Sequence, residues 1–219
     1  DTDGNGTADL MGATLTGLAL DVSGAGVSIE DVAALQVSGR LGIATLAPAD
    51  VLDTRSWFGL KMGEVTVSGG LHPSLGTQLS ATITIGALDY NSATNPTTAA
   101  AAKRLDWAKS FDLDGDGQFD DALNPGALLP TPADLTIDFA SSLQLRLTGT
   151  LTGTGVVTGP AADNAILTVG PLQVTGTAGF ALTMSTVDAD TDGNGTADLV
   201  GATLTGLALD VANAGVTIT

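Results

Sequence analysis

The sequence predicts an all-β protein: an elongated, repetitive β array, solenoid-like or built from stacked antiparallel strands, with one short helix inserted into it. Three observations carry this prediction. Hydrophobic residues make up 43% of the chain and aromatic residues only 4%, and Val, Leu, Ile and Ala often alternate with Thr or Ser. The chain also contains 29 glycines and a long internal repeat. A β-sandwich is the alternative fold.

The internal repeat sets the length scale of the array. Residues 1–29 match residues 190–218 at 25 of 29 positions, at an offset of 189 residues. We therefore expect one full period and the start of the next, taken from a longer array. A shorter motif, [VLA]-x-[VL]-[ST]-G-x-[LA], occurs six times, at spacings that correspond to units of about 27 residues. Repeats of this length are typical of arrays in which each unit buries its apolar face against its neighbours.

Strands are predicted wherever apolar residues alternate with Thr or Ser between turn residues. The array divides into β units at 1–90, an insertion at 91–130, further β units at 131–189, and the start of the next repeat at 190–219. The predicted strands are Thr14–Val22, Val32–Gly39, Glu64–Leu71, Leu79–Ile85, Leu135–Phe139, Leu143–Thr150, Ala165–Val169, Leu172–Thr177, Phe180–Thr186 and Thr203–Val211.

The insertion breaks the strand rhythm and contains the one predicted helix, over residues 95–111. Four consecutive alanines favour a helix, and Leu105, Ala108 and Phe111 would share one face of it. An Asp-rich loop follows immediately at Asp112. We therefore interpret the insertion as a helix plus a loop added to the β array.

Three loops follow one template, D-x-D-x-[DN]-G-x-x-D, and begin at Asp1, Asp112 and Asp190. In such a loop the side-chain oxygens of the first, third and fifth positions converge on a hard cation, and the sixth-position glycine permits the sharp turn. A carbonyl at the seventh position completes part of the shell. The sequence therefore predicts Ca²⁺ as the cofactor. The predicted ligands are Asp112, Asp114, Asp116, Gln118, Asp120, Asp121, Asp1, Asp3, Asn5, Thr7, Asp9, Asp188, Asp190, Asp192, Asn194, Thr196 and Asp198.

None of the three loops is a complete EF-hand. The twelfth position, which needs a bidentate Glu in an EF-hand, is Gly12, Leu123 or Gly201. The alternative interpretation is a set of metal-free surface turns, since Asp, Asn and Gly favour turns for their own reasons. The loop at Asp112 is predicted to be the best-occupied site because it offers five Asp residues.

Composition excludes several classes of partner. The net charge is −17 with only seven Lys and Arg, so binding to nucleic acid or to an anionic membrane surface is not expected. Twelve of the 22 Asp residues lie in or next to the three loops, so the charge is largely a supply of metal ligands. Cysteine is absent, which leaves bound metal as the expected source of extra stability. The sequence contains no run of 18 apolar residues, so insertion into a membrane is not expected.

The sequence carries no catalytic motif, so we expect a protein that is not an enzyme. His72, the single histidine, is predicted to lie in a surface turn, and without cysteine it does not make an ordinary zinc site. A G-x-S-x-G elbow is absent, and two Trp and one Tyr are few for a glycan-active enzyme. Trp57 and Trp107 are expected to close the ends of apolar layers, or alternatively to form a ligand-binding patch near the insertion.

Near-identical long repeats, Thr/Gly/Val-rich strands, D-x-D-x-[DN]-G loops, high acidity and the lack of cysteine together resemble the tandem-repeat region of giant secreted bacterial surface proteins. Calcium-dependent adhesins and extracellular filament or matrix proteins belong to this group. The resemblance implies an extracellular or cell-surface structural repeat, a stalk or a filament-forming subunit in adhesion or biofilm, whose partners are copies of itself placed end to end. The alternative is a module that binds carbohydrate or a cell surface through the 91–130 insertion.

Overall fold

The computed structural model describes residues 1–29, 33–71, 77–95, 103–155 and 165–218. Within these ranges every paired strand is antiparallel to its neighbours in one sheet, which confirms the all-β prediction in its stacked antiparallel form. A short 3-10 helix spans Pro125–Leu128. The strands are β1 (Thr14–Ile29), β2 (Ala33–Ala47), β3 (Ser56–Leu71), β4 (Thr77–Thr94), β5 (Leu143–Gly153), β6 (Ala165–Val169), β7 (Leu172–Ala189) and β8 (Leu199–Ile218).

The strands form a simple meander, with β1 at one edge of the sheet and β8 at the other. β5 and β6 lie in one row, because both pair with β4 on one side and with β7 on the other. The meander from β1 to β7 therefore has six rows. Since six is even, β8 runs in the same direction as β1, which it repeats in sequence.

Most observed strands are longer than the predicted ones, whereas β6 has the predicted bounds Ala165–Val169. The segments predicted separately at Leu172–Thr177 and Phe180–Thr186 are one strand, β7, because pairing on both edges carries the chain through the small residues between them. Strand β3 begins eight residues before its predicted start at Glu64, through a stretch in which Gly59 and Gly63 hide the alternation. The predicted strand at Leu135–Phe139 is wrong: its residues make only the isolated bridge between Ile137 and Leu123.

The predicted helix is not formed in residues 103–111, which are extended and then turn. The reason lies in the burial: Leu105 and Trp107, two residues apart, are both fully buried, which is the period of an extended chain and not of a helix. The Trp107 N–H donates to the Phe139 carbonyl at 2.8 Å, so this backbone pairs with a distant segment. Residues 96–102 of the predicted helix, and His72, lie outside the described residues.

The main core lies between the sheet and residues 103–139, which we call the covering segment. Trp107, Phe111, Ile137 and Phe139 from this segment pack against β2 and β3. A row of small residues, Gly17, Ala44 and Gly59, crosses the first three strands beneath it. A Cβ atom at Gly59 would lie 2.9 Å from Ile137 and 3.1 Å from the Trp107 ring, so the close approach of this segment requires glycine there.

The opposite face of the sheet is apolar along its whole width. One row of directly paired residues runs from edge to edge, and every member is Leu or Met. At the two edges these side chains are exposed. The row consists of Leu20, Leu41, Met62, Leu88, Leu147, Leu182 and Leu207.

Candidate metal centres

The three Asp-rich loops lie at the same end of the sheet. We call residues 1–9 loop A, residues 112–121 loop B and residues 190–198 loop C. The starts of β1, β3, β5 and β8 and the ends of β2, β4 and β7 all meet at this end. Loop A precedes β1, loop B lies between β4 and β5, and loop C joins β7 to β8 as a hairpin connection. The antiparallel topology therefore collects 11 of the 24 acidic residues at one end of the sheet.

In each loop the first carboxylate closes the turn from inside. Its two oxygens accept hydrogen bonds from the backbone N–H groups of the fourth and sixth residues, at 2.6–3.0 Å. Those two residues are glycines with φ between 75° and 87°, a backbone that other residues rarely adopt. The three closing carboxylates belong to Asp1, Asp112 and Asp190.

The third and fifth side chains complete the same geometry. In loop B, the Asp114 carboxylate accepts from the Asp116 N–H at 3.1 Å, and the Asp116 carboxylate accepts from the Gln118 N–H at 2.8 Å. Loop A repeats these bonds at Asp3 and Asn5, with the same 3.1 Å and 2.8 Å distances. In loop C they recur at Asp192 and Asn194. Three loops thus share one backbone course.

The loops differ in the acid that follows the turn. In loop A the Asp9 carboxylate accepts from the Thr2 N–H at 2.8 Å, and Asp198 does the same for Thr191 in loop C at 3.0 Å. In loop B this role passes to the tenth residue, Asp121, which accepts from the N–H groups of residues 113 and 114. Asp120, the ninth residue of loop B, is exposed and lies outside this network. The D-x-D template therefore does not determine whether the ninth or the tenth residue accepts hydrogen bonds from the start of the loop.

Loop B brings the most charge together. One oxygen each from Asp112, Asp114 and Asp121 lies within 4.8 Å of the other two, which makes a group of three carboxylates that could hold a metal ion. Loops A and C have Asn at the fifth position and carry fewer acids. The predicted order, with loop B as the strongest calcium site, stays a prediction that this arrangement favours.

Hydrogen bonds shift several of these carboxyls toward the ionised form. The Gly195 N–H, followed by that of Gly193, lowers the pKa of the Asp190 carboxyl from its ordinary value of 3.8. The Thr191 hydroxyl and N–H lower the pKa of Asp198 in the same way. Burial acts to raise the pKa of Asp9, but the hydroxyl and N–H of Thr2 outweigh it and the net shift is downward. The ionised form that a cation needs is thus already favoured.

The twelfth position of each loop, and the predicted ligand Asp188, contribute to the turns and the packing. Gly12 and Gly201, at the twelfth position of loops A and C, both have φ of 70° and turn the chain into the following strand. Leu123, at the same position of loop B, packs against the core over Gly17. Asp188 accepts from the Gly201 N–H at 2.8 Å across the hairpin and lies outside the loop C network. The twelfth position supplies no side-chain ligand in any of the three loops.

Side chains of β3 and β4 anchor the covering segment, which contains loop B, and one of them, Asn91, was not identified from the sequence. Asn91, fully buried in β4, donates to the carbonyls of Leu105 and Ala140 at 2.9 and 3.2 Å. It also accepts from the Trp107 ring N–H at 3.0 Å. Trp57, 3% exposed, donates its ring N–H to the Lys103 carbonyl. An Asn in a β strand among apolar residues is the one signal that could have revealed this anchor.

A polar cleft of about 1270 Å³ opens between loops A and B and the β7–β8 hairpin. Phe119 and Asp120 of loop B line one side, and Thr186 lines the other. Arg104 spans the two sides, because its guanidinium donates to the Ser141 carbonyl and to the Thr186 hydroxyl. Burial lowers the pKa of the Arg104 guanidinium. The cleft therefore combines charged, hydroxyl and aromatic groups beside the acidic loops A and B.

Comparison of the chain with protein-family models, curated proteins and solved structures finds no match. Among the described residues, none of the helical segments has the length and apolar character needed to span a bilayer.

Proposed function

We propose that this chain is a structural repeat of an extracellular or cell-surface array, and that calcium ions bound in loops A, B and C stiffen one end of its sheet. The observation that carries the proposal is the shared geometry of the three loops. Each one is closed by the same carboxylate and glycine N–H hydrogen bonds and presents oxygen side chains at the first, third and fifth positions. All three stand at the same end of one sheet.

Calcium suits these loops better than other cations. Their ligands are carboxylate, amide and carbonyl oxygens, which hard cations prefer, and the loops have no imidazole or thiolate that would favour zinc or copper. The lack of a bidentate twelfth residue points to weak binding, with dissociation constants of about 10⁻⁴–10⁻³ M, as in extracellular modules. Such sites fill where calcium is abundant, which favours an extracellular location.

Bound calcium would act on the loops that join the strands. Without it, the clustered carboxylates of loop B repel one another, because three of their oxygens lie within 4.8 Å. With it, the free energy of binding adds to the free energy of folding. Loop C joins β7 to β8 directly, so calcium there would tie two neighbouring strands at their ends.

The sheet itself favours a role as a spacer. Its six-row period returns the chain to its starting direction at β8, so units can follow one another without a change of orientation. At a strand spacing of about 4.8 Å, one unit advances the array by about 29 Å across the strands. A stalk or filament needs this kind of open, additive geometry.

A second candidate function is binding of carbohydrate or of a cell surface. The polar cleft beside Phe119 and Arg104 favours it, because sugars bind to an aromatic face flanked by charged and hydroxyl groups. A glycan array with the full chain and with Phe119→Ala tests this candidate. Binding that Phe119→Ala abolishes would support it, and the absence of binding in calcium would exclude it.

Thermal unfolding of the full chain in calcium, in magnesium and in excess EDTA tests the leading proposal. At 10 mM calcium each occupied site should add about 1.4–2.7 kcal/mol. Each kcal/mol raises the melting temperature of a domain of this size by about 2–4 °C. Magnesium should stabilise less, since it demands a rigid octahedral shell.

Asp210→Asn is the matched control for this experiment. It removes one exposed carboxylate from β8, outside the three loops. Its response to calcium should equal that of the unaltered chain, which separates bound ions from general screening of the negative charge. An unchanged melting temperature in EDTA would contradict the calcium proposal.

A further inference from the structure

Strand β8 is the most exposed strand of the sheet, although its sequence is strongly apolar. Leu204, Leu207, Leu209 and Val211 are 59–68% exposed. One edge of β8 pairs with β7, and in the described chain its other edge has no strand beside it. An open, hydrophobic strand edge of this length is a site for pairing with another strand.

The partner that fits β8 can be identified because β8 repeats β1. Residues 14–29 and 203–218 differ only at three positions. In β1 the face that carries Leu15 already has partners: Leu15 packs against the core that contains Trp107, and Gly17 lies beneath Leu123 and Pro125. On the other face Leu18 and Leu20 are 49% and 43% exposed, less than the 68% of Leu207 and Leu209. The edge of β1 pairs with β2 along 14 residue pairs. β8 therefore carries a surface whose complement exists elsewhere in this chain.

We propose that the free edge of β8 is an assembly edge for a second copy of the 189-residue unit, whose β2 and covering segment would cover β8 as they cover β1 here. This inference rests on the structural array proposed above and names its junction. A tandem copy in the same chain supplies this partner most directly, since the β2 of a separate molecule is already occupied by its own β1.

The offset of 189 residues fixes the register of this junction. Because Leu18 pairs with Ile43 and Leu20 with Leu41, Leu207 would lie opposite Ile43 of the second copy and Leu209 opposite its Leu41. Leu207 already pairs with Leu182 on its other side. The apolar rows of the open face would thus cross the junction without interruption.

The bulge in the two strands supports the same junction. β1 has a register shift between Val22 and Ala25, and β8 has one at the equivalent place, opposite Gly176. Gly24 has a φ of 62°, and Asn213, which replaces it in β8, has a φ of 55°. Asn tolerates this backbone better than most residues. β8 therefore keeps the left-handed backbone conformation of β1 at this position although the residue differs.

Loop C would gain the cover that loop A has. Asp1 is buried beside the Ser110 carbonyl, which accepts a hydrogen bond from its terminal ammonium group at 3.1 Å. Asp190, its counterpart, is exposed. At the proposed junction, Ser110 of the second copy would lie over Asp190. The covering segment of each unit would then hold both its own loop B and the loop of the neighbouring repeat.

Hydrogen–deuterium exchange on two chains tests the junction. The first is the 219-residue chain, and the second is that chain followed by a further copy of residues 31–219. In the longer chain, amides of β8 and loop C at the junction should exchange at least about tenfold more slowly than in the single chain. Exchange in β8 that does not change on addition of the second copy would overturn the proposal.

Leu204→Asp keeps this test decisive if exchange is hard to resolve. In the single chain Leu204 is exposed, so the substitution should leave the melting temperature unchanged within error. In the longer chain it should lower the melting temperature of the junction, and Leu15→Asp should have the same effect in either chain because Leu15 packs against the core. An equal, negligible effect of Leu204→Asp in both chains would also overturn the proposal. Calcium titration of the single chain is read out separately, so failure of the junction and failure of the calcium proposal are distinguishable.

Discussion

The two copies of the 29-residue segment have the same local structure in different surroundings. Loops A and C share their closing hydrogen bonds and their glycine φ angles, and β1 and β8 share a bulge at the same place. The first copy packs beneath the covering segment, whereas the corresponding face of the second copy is exposed. Both β1 and β8 are edge strands of the sheet. The sequence of the segment therefore determines its turns and strands, whereas the residues that pack against it in the fold determine its burial.

The difference separates two sources of stability. Hydrogen bonds within a loop contribute little net free energy when water competes for the same groups, about 0.5–1.5 kcal/mol each. Burial of Trp107, Leu105 and Ile137 against the small-residue row removes large apolar areas from water. We expect the first half of the sheet to be held by this core, and the second half to depend on strand pairing and on the next unit.

Trp107→Ala should have the largest effect, because it removes the largest fully buried side chain and the hydrogen bond to Asn91. The free energy of unfolding should fall by about 3–5 kcal/mol. Exchange should speed up in β1 and loop A and stay unchanged in β8 and loop C. Urea unfolding measures the free energy, and hydrogen–deuterium exchange measures the amide rates. An equal rise of the exchange rates in β1 and β8 would show that the covering segment does not protect β1 more than β8.

Gly59→Val tests the close approach of the covering segment. Its Cβ would meet Ile137 at 2.9 Å and the Trp107 ring at 3.1 Å, so we expect a loss of about 1–3 kcal/mol. Gly179→Ala is the matched control in the uncovered half, where the new Cβ would meet Asp210 at 3.7 Å, an ordinary contact. Its unfolding free energy should change by no more than about 1 kcal/mol. Similar losses for the two variants would show that the covering segment is not tightly packed.

Paired substitutions in the loops rank the calcium sites. Asp114→Ala with Asp116→Ala should remove the calcium stabilisation of loop B, about 1.4–2.7 kcal/mol at 10 mM calcium. Asp3→Ala with Asn5→Ala in loop A should cost less, because loop A has fewer acids. Calcium titrations followed by thermal unfolding measure the order. A larger loss from the loop A pair would reverse the ranking.

The bulge offers the smallest and most direct comparison of the two copies. Gly24→Ala should cost about 1 kcal/mol, because its φ of 62° is unfavourable for a residue with a Cβ. Asn213→Gly should be neutral or slightly stabilising, since its φ of 55° is the same strained region. Urea unfolding of both variants measures this. If Gly24→Ala is neutral, the bulge does not persist in solution.

Much of this architecture follows from the sequence. The strands and the loops can be identified from the repeat, from the alternation in segments such as Leu143–Thr150 and from the D-x-D template. These features are local, because they involve residues close together in the sequence. The covering segment was not predicted: a run of alanines suggested a helix, while Trp107 pairs instead with Phe139, 32 residues later. The use of Asp121 in place of Asp120 also depends on the bridge between Phe111 and Asp121, a contact that spacing does not encode.

The growth of the array with each added unit tests the central claim most directly. We propose imaging by negative-stain electron microscopy of chains with four, six and eight units in calcium. An open sheet that adds six rows per unit should lengthen by about 29 Å for each unit, at about 4.8 Å per strand. Separate compact domains of this size would instead add more than about 40 Å per unit. Growth at that larger step, or particles whose length does not increase with the number of units, would contradict the account.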